Sequence, residues 1–508
     1  MKRFLAVILL LALMVPAFAM AEEMPFMGYY SDFTMGMDGW YPRSADGNTV
    51  INRLGYVVEI KGRTAAWNSP GRDFPLQPGV KYIFSVDVRQ TNAPEAEFMV
   101  SVAHSRDGVE SYENLAKATV KKANWVTITG EYTPDQYDNY TLYVETVGHG
   151  ELSFMMRDFI IEPESMHYDE NLVILKDIYA DYFDVGSCIN NSQVQNKKQI
   201  DFFANQFNIF THENELKPDS VLDVNASREL VKTEGETAVA VRFNNAKPLL
   251  DYCQKNGIKV HGHVLVWHSQ TPEAFFHESY DVNKPYVTRE VMLGRMENYI
   301  RKVLEGTEEK WPGVIVSWDV VNEAVADGST QLRTSNWTKV VGLDFVNRAF
   351  EYARKYAKPG VKLYYNDYNT PQEPKLTGIC NLLDSLIADG TIDGYGFQCH
   401  FSVNSPYVAT VRNAVERIAS KGIRLRVSEL DVGMEADTRQ NQNKQAQYYK
   451  ELFQLFMEYA DQFEAVQVWG LTDDRSWRSD KFPLLFNKKM EPKPAFFAVV
   501  EAVKEKAE

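Results

Sequence analysis

"VIVSWDVVNEAV", Val314–Val325, decides the architecture of the larger part of this chain. It opens as an apolar, β-branched run, the composition of a strand buried on both faces. Yet Asp319 lies inside the run, and Asn322 and Glu323 close it. A single carboxylate at a strand end is most often a solvated cap. Here the pattern recurs in "DVGSCI", "NIFTHEN", "IKVHGHVLVWH", "KLYYNDYN", "GYGFQCH", "IRLRVSELDV" and "AVQVWGLTDD", each followed by loop and helix. Strands alternating with helices form a parallel sheet. Eight such units predict an α/β domain over residues 166–508, a closed (β/α)8 TIM barrel. An open doubly wound sheet is the alternative, but no Gly-rich phosphate turn follows the first strand.

In such a barrel the C-terminal strand ends share one face, where active sites lie. The residues brought there are His212, Glu213 and Asn214; His263 and Trp267; Asn322 and Glu323; Asn366 and Tyr368; Gln398 and His400; Glu429 and Asp431; Trp469 and Asp473. Paired carboxylates among amides and flat aromatics suit glycosidic cleavage. One carboxylic acid protonates the leaving oxygen, and the other stabilises or attacks the anomeric carbon. A metallohydrolase is the alternative, because His261, His263 and His268 cluster on strand three. No HExxH motif follows them, and no metal is expected. The Gly-x-Ser-x-Gly elbow of serine hydrolases is absent.

The N-terminal region has a different period. From about Asp32 to Glu162, short alternating runs such as "KYIFSVDVRQ", "EFMVSVAHS", "WVTITGEY", "YTLYVETVG" and "LSFMMRDFIIE" are separated by turn signals. Strands at this spacing without helices predict an all-β antiparallel sandwich (jelly-roll) over residues 22–165. Period 2 puts Tyr143 and Glu145 on one face and Leu142 and Val144 on the other. An aromatic beside a carboxylate on an outer face reads either as a sugar-binding pair or as a solvated strand face. "EPESMHYDEN" marks the boundary.

The chain's 508 residues carry a formal charge of −15, against nucleic-acid or anionic-membrane partners. Residues 1–21 read as a secretory signal: Lys2 and Arg3, an apolar run, then Ala17, Ala19 and Ala21. A retained anchor is the alternative, but the run falls short of a ~20-residue span. The product is expected to be secreted, extracellular or periplasmic, and monomeric. Cys188, Cys253, Cys380 and Cys399 sit in apolar elements and read as free buried thiols, with one disulfide as the alternative.

From about Leu172 to Lys506 the chain resembles the family 10 glycoside hydrolases, largely endo-β-1,4-xylanases. "THENELKPD", "HGHVLVWHSQTP", "WDVVNEA", "YNDYN", "GFQCH", "VSELDV" and "VWGLTDDRSW" come in the family's order. The resemblance implies Glu323 as acid/base and Glu429 as nucleophile, supported by His400, Asp431, Asn322 and Asp319. It implies sugar contacts for Glu213, Asn214, Lys217, His263, Trp267, Gln270, Tyr368 and Gln398, with Trp469 and Trp477 roofing the cleft. The expected mechanism is retaining, with no cofactor required. An endoglucanase or mannanase on the same barrel, or a non-catalytic xylan-binding protein, are the alternatives. His261 departs from the family's usual Arg, and His212, Leu216 and Pro218 depart in the second-strand motif. The link Asn225–Phe243 looks long and is expected to reshape one end of the cleft. "MDGWYPR", "GRTAAW", "SYENLA" and "LYVETVG" resemble family 22 carbohydrate-binding modules, which bind xylan and can hold a structural calcium. That resemblance implies ligand contacts for Arg43, Trp67, Tyr112, Tyr143 and Glu145.

Overall fold

The computed structural model describes residues 26, 29–31, 33, 36–44, 46–163 and 172–507. The targeting segment and most of the boundary segment lie outside these residues. The chain divides into two compact units, residues 1–165 and 166–508.

In the first unit two antiparallel sheets share one core. One sheet runs Val50–Leu54, Val57–Lys61, Phe154–Pro163, Tyr82–Gln90 and Trp125–Tyr132, with Tyr29–Ser31 added beside Phe154–Pro163. The other runs Tyr41–Arg43, Ser69–Asp73, Asn139–Thr146, Glu95–Arg106 and Val109–Lys121. Alternation fills the core: Tyr82, Phe84, Val86 and Val88 from one sheet meet Phe98, Val100, Val102, Leu142 and Val144 from the other. The strand Val109–Lys121 was not among those expected. It lies at a sheet edge, is mostly exposed and carries little apolar signal. Its hairpin with Glu95–Arg106 turns at Asp107 and Gly108, both with positive φ, the geometry that matches strand twist.

The second unit is the expected barrel. Its eight strands are Asp184–Ile189, Ile209–His212, Lys259–Gly262, Ile315–Asn322, Lys362–Asp367, Gly394–Phe397, Arg424–Gly433 and Phe463–Val468. All pair in parallel with their neighbours, and the eighth pairs with the first to close the ring. Short strands Val266–Trp267 and His400–Ser402 extend the third and sixth at the C-terminal rim. Gly262 is required where it stands, since a Cβ there would lie 2.3 Å from the Trp318 ring. The link 225–243 begins as the helix Val224–Glu234. Beyond it, Glu236 accepts from Ser279 and pairs with buried Arg295, fastening the link to the turns after strand three. All four cysteines are free and buried, as expected. Among the described residues no helix is long and apolar enough to cross a membrane.

Candidate active site

Strand four ends at Asn322, and Glu323 turns out of it with φ 56, its N–H bonded to the Asn366 carbonyl at 2.9 Å. Each carboxylate oxygen of Glu323 accepts one neutral N–H: Oε1 from Gln398 Nε2 at 2.9 Å, Oε2 from Trp267 Nε1 at 3.0 Å. Gln398 Nε2 also reaches Asn322 Oδ1 at 3.0 Å. Asn366 Nδ2 meets the same Oδ1 at 3.1 Å and donates to Glu429 Oε1 at 2.7 Å. Three amides therefore link Glu323 to Glu429 in one buried chain. Because both donors reach Asn322 through Oδ1, its amide nitrogen is turned away from them.

Glu429, on strand seven, is 5% exposed and would be costly to ionise alone. His400 Nε2 donates to its Oε2 at 3.2 Å, and His400 Nδ1 donates to Asp431 Oδ2 at 2.8 Å. Burial alone would lower the imidazole, but Asp431 and Glu429 together push it up to about 10. The ring is thus an imidazolium donating from both nitrogens. Burial would raise Glu429, but the His400 bond and the nearby His263, His400 and Lys217 charges hold it below the usual carboxylate range. Asp431 is held in turn by Trp477 Nε1 at 2.9 Å and by Arg478 at 2.5 Å.

On the opposite wall Asp319 Oδ2 lies 2.8 Å from His263 Nδ1 and 2.9 Å from His261 Nε2. Burial opposes its charge, but the two histidines keep Asp319 well below the usual range. Arg426 Nη1, a donor only, lies 2.5 Å from His261 Nδ1, which must therefore accept. Burial and the Arg426 charge push His261 down to about 4, so it is neutral with its proton on Nε2. His261 and His263 of strand three are thereby bound to a carboxylate from strand four, which His268 does not reach. Among the described residues no group of three or more His, Cys, Asp or Glu could hold a metal ion. His212 is a core residue bonded to the Ala246 carbonyl, and burial lowers its pKa.

The remaining barrel positions fall into two groups. Lys217 Nζ joins Asn214 Oδ1 at 3.0 Å and Gln270 Oε1 at 3.1 Å, and lies 5.0 Å from the Trp267 ring centre. Glu213, raised by burial, accepts from Asn190 at 2.9 Å beside them. Tyr368 stands apart from that cluster. Its hydroxyl is engaged by Asp327 and Arg333, and Lys375 covers its ring at 3.6 Å. The two expected roof residues differ. Trp469 is buried with its ring 5.6 Å from His263, whereas Trp477 is 60% exposed. Arg426 and Arg478 were missed as site residues, and Asn366 was placed on the C-terminal face without a role. Asn366 and Arg426 lie within the strand stretches read from the sequence, Arg478 directly follows "VWGLTDDRSW", and in-register pairing of Asn366 with Asn322 puts it between the two glutamates.

In the first unit Tyr143 and Glu145 do share the face opposite Leu142 and Val144, but neither is open. Arg43 lies over the Tyr143 ring at 3.8 Å, in a path that only Gly71 leaves clear, since a Cβ there would meet Arg43 Cδ at 2.4 Å. Glu145 accepts from Ser101 at 2.6 Å, and burial raises its pKa. Tyr143 is therefore a covered floor, and its face of the strand is not the solvated one that alternation alone allowed. Of the expected ligand contacts, the exposed aromatics are Trp67, at 45%, and Tyr112, at 59%. Arg63 bonds both the Ala66 carbonyl and Thr146 Oγ1, pinning the Trp67 turn to the Glu145 end of its strand.

A barrel with this rim defines a class, and residues 174–502 match the family model described as glycosyl hydrolase family 10; the chain belongs to that family. Residues 27–149 match a carbohydrate binding domain, so a carbohydrate-binding module precedes the barrel. Endo-1,4-beta-xylanase A of Thermotoga neapolitana is 32% identical over 94% of this chain and 47% of its own length. Endo-1,4-beta-xylanase B of Butyrivibrio fibrisolvens is 39% identical over 65% of this chain and 53% of its own. The chain spans about half the length of the curated relatives it matches. Among solved structures, the CBM22-1–GH10 modules of a Clostridium thermocellum endo-1,4-beta-D-xylanase, complexed with xylohexaose, are 30% identical. Their TM-score is 0.60, covering 94% of this chain and 98% of that one.

Proposed function

We propose that this chain is an exported endo-1,4-β-xylanase that cleaves internal xylan linkages with net retention. The asymmetry between its two carboxylates carries the reading. Glu429 is buried against an imidazolium and an amide donor and stays ionised, as a nucleophile must. Glu323 has only neutral donors on its oxygens, and these can give way to a sugar oxygen.

In the first step Glu429 attacks the anomeric carbon while Glu323 protonates the departing glycosidic oxygen. A covalent glycosyl–enzyme results. Glu323, now a carboxylate, takes a proton from water as that water displaces Glu429, restoring the starting configuration. The amide nitrogen of Asn322, turned away from its own partners, is placed to bond the 2-hydroxyl. Lys217, Asn214, Gln270 and Glu213 hold hydroxyls further along one side. Water and side chains supply all the chemistry, so no cofactor is required. The module's Trp67 and Tyr112 supply exposed aromatic faces for xylan, and tethering raises substrate concentration at the cleft. The xylanase names of the relatives support this choice of polymer.

The test is reducing-sugar release from xylan and from carboxymethyl cellulose by the purified chain. Faster release from xylan is expected. Preference for the cellulose derivative would assign the barrel to glucan, and no release from either would make the chain a binding protein.

A further inference from the structure

The backbone around Glu323 is held by more than its strand. Its φ of 56 is a conformation that residues with a side chain avoid, and such a residue persists only where its surroundings over-determine it. The polar groups of Glu323–Val325 show what does so. The Glu323 carbonyl accepts from Arg333 Nε at 3.3 Å, and the Ala324 carbonyl from the Arg333 N–H at 2.7 Å. The next two N–H groups, of Ala324 and Val325, both donate to the Tyr365 hydroxyl, at 3.0 and 3.1 Å.

That hydroxyl has one proton, and it goes to Asp367 Oδ2. The other oxygen of Asp367 accepts the Tyr368 N–H at 2.9 Å and Lys375 Nζ at 2.8 Å. Lys375 also meets Asp327 Oδ1 at 3.0 Å. Tyr365 and Asp367 are 0% exposed and Lys375 is 1% exposed. None of the three touches the cleft groups of Glu323 or Glu429. A buried cation and carboxylate are expensive to maintain for packing alone. The cluster reaches the active-site side at Tyr368, whose ring Lys375 covers, and at the oxygen on which two consecutive N–H groups beside Glu323 converge.

We infer that Lys375, Asp367 and Tyr365 form a brace that fixes the carboxyl group of Glu323 for proton transfer, with Tyr365 as a positioning residue. The inference rests on Glu323 being the acid/base. Tyr365→Phe removes one oxygen and leaves two buried N–H groups unpaired. Glu323 then loses its fixed exit from the strand, while Glu429, held from strands five, six and seven, keeps its place.

The experiment uses the full chain and two substrates. One is xylotetraose, whose leaving group needs a proton. The other is an aryl β-xylobioside with a dinitrophenol leaving group, which needs none. For Tyr365→Phe, kcat/KM on xylotetraose should fall about tenfold or more, the scale of a small misplacement of a reacting group. On the aryl glycoside kcat/KM, which reports the first step, should be unchanged. Its kcat should fall, because Glu323 also serves as base, and azide should restore it. A parallel fall on both substrates, or no fall on either, overturns the brace. If Tyr365→Phe does not fold, Asp367→Asn is read by the same split. If neither folds, the cluster is a determinant of the fold and the inference is overturned. Glu323→Ala is run alongside. If it lacks the split, the acid/base assignment falls and the brace with it. If it shows the split and Tyr365→Phe does not, only the brace falls.

Discussion

Replacing Asp431 by Asn tests the electrostatic half of the site. Asp431, fully buried, lies 2.8 Å from His400, which is lifted from 6.5 to about 10. At ~1.4 kcal/mol per pH unit, a lift of this size corresponds to ~5 kcal/mol of preference for the imidazolium. Asp431, the nearer anion, contributes the larger part. A raised pKa means that the folded state holds the proton more tightly. The stabilisation is full below 6.5, declines as pH rises, and is lost near 10. Glu429 does not confuse this window, because its ordinary value of 4.5 is already depressed and it stays ionised throughout. In Asp431→Asn only Glu429 still opposes burial, and the His400 midpoint should fall from about 10 toward its ordinary 6.5. The assay is NMR of ring-labelled histidine in parent and variant. His400 of the parent should stay protonated past pH 9, where an ordinary imidazole is neutral. Urea unfolding should show the stability gap between the two proteins narrowing from acid to alkaline pH. At neutral pH the nucleophile loses a charge-assisted donor. If ~2 kcal/mol of that support is lost from the transition state, kcat/KM falls about 30-fold. A parent His400 titrating near 6.5, or the same midpoint in both proteins, would refute the reasoning.

Three further outcomes are expected. Glu429→Ala should lose hydrolysis of xylan and of activated aryl glycosides alike, whereas Glu323→Ala should keep the first step on activated substrates and regain turnover with azide; equal inactivity on all substrates with no azide effect would reverse the role assignment. Proton NMR of a fresh digest should show the β-anomer of the product first, as retention requires with carboxyl groups ~5–5.5 Å apart; the α-anomer first would exclude double displacement. In the full chain, Trp67→Ala should weaken retardation in a xylan affinity gel and slow release from insoluble xylan while leaving xylotetraose hydrolysis unchanged. Unaltered retardation would make the module's ligand face lie elsewhere.

The barrel was legible because each strand couples an apolar run to a polar end, and a chain can bury the first only by gathering the second on one rim. The two glutamates proposed as catalytic were marked by that convergence and by the motif resemblance. What escaped was contact between strands. Nothing in "KLYYNDYN" says that Asn366 faces Asn322, because parallel register is set by the closed sheet and not by either strand alone. Arg426 reads as a polar residue in an alternating strand, yet a closed barrel turns that position inward, where it fixes the tautomer of His261. Alternation placed Tyr143 and Glu145 on the correct face, but it could not foresee Arg43 crossing Gly71 to cover one of them. Val109–Lys121 was missed because an edge strand needs few apolar residues to stay paired.

The amide chain between Glu323 and Glu429 makes the spacing of these two carboxylates a gauge cut into the sheet. Asn322 and Glu429 stand on barrel strands, Asn366 is tied to both, and the Glu323 N–H is anchored on the Asn366 carbonyl. Rim and loop residues enter this gauge through Gln398, through Trp267 on the other oxygen of Glu323, and through Arg333 on its carbonyl. Segment 225–243 supplies none of these bonds, so it can lengthen, shorten or change composition without touching the groups that set the gap between the two carboxylates. Loops grafted onto that segment are therefore expected to leave the spacing of Glu323 and Glu429 unchanged.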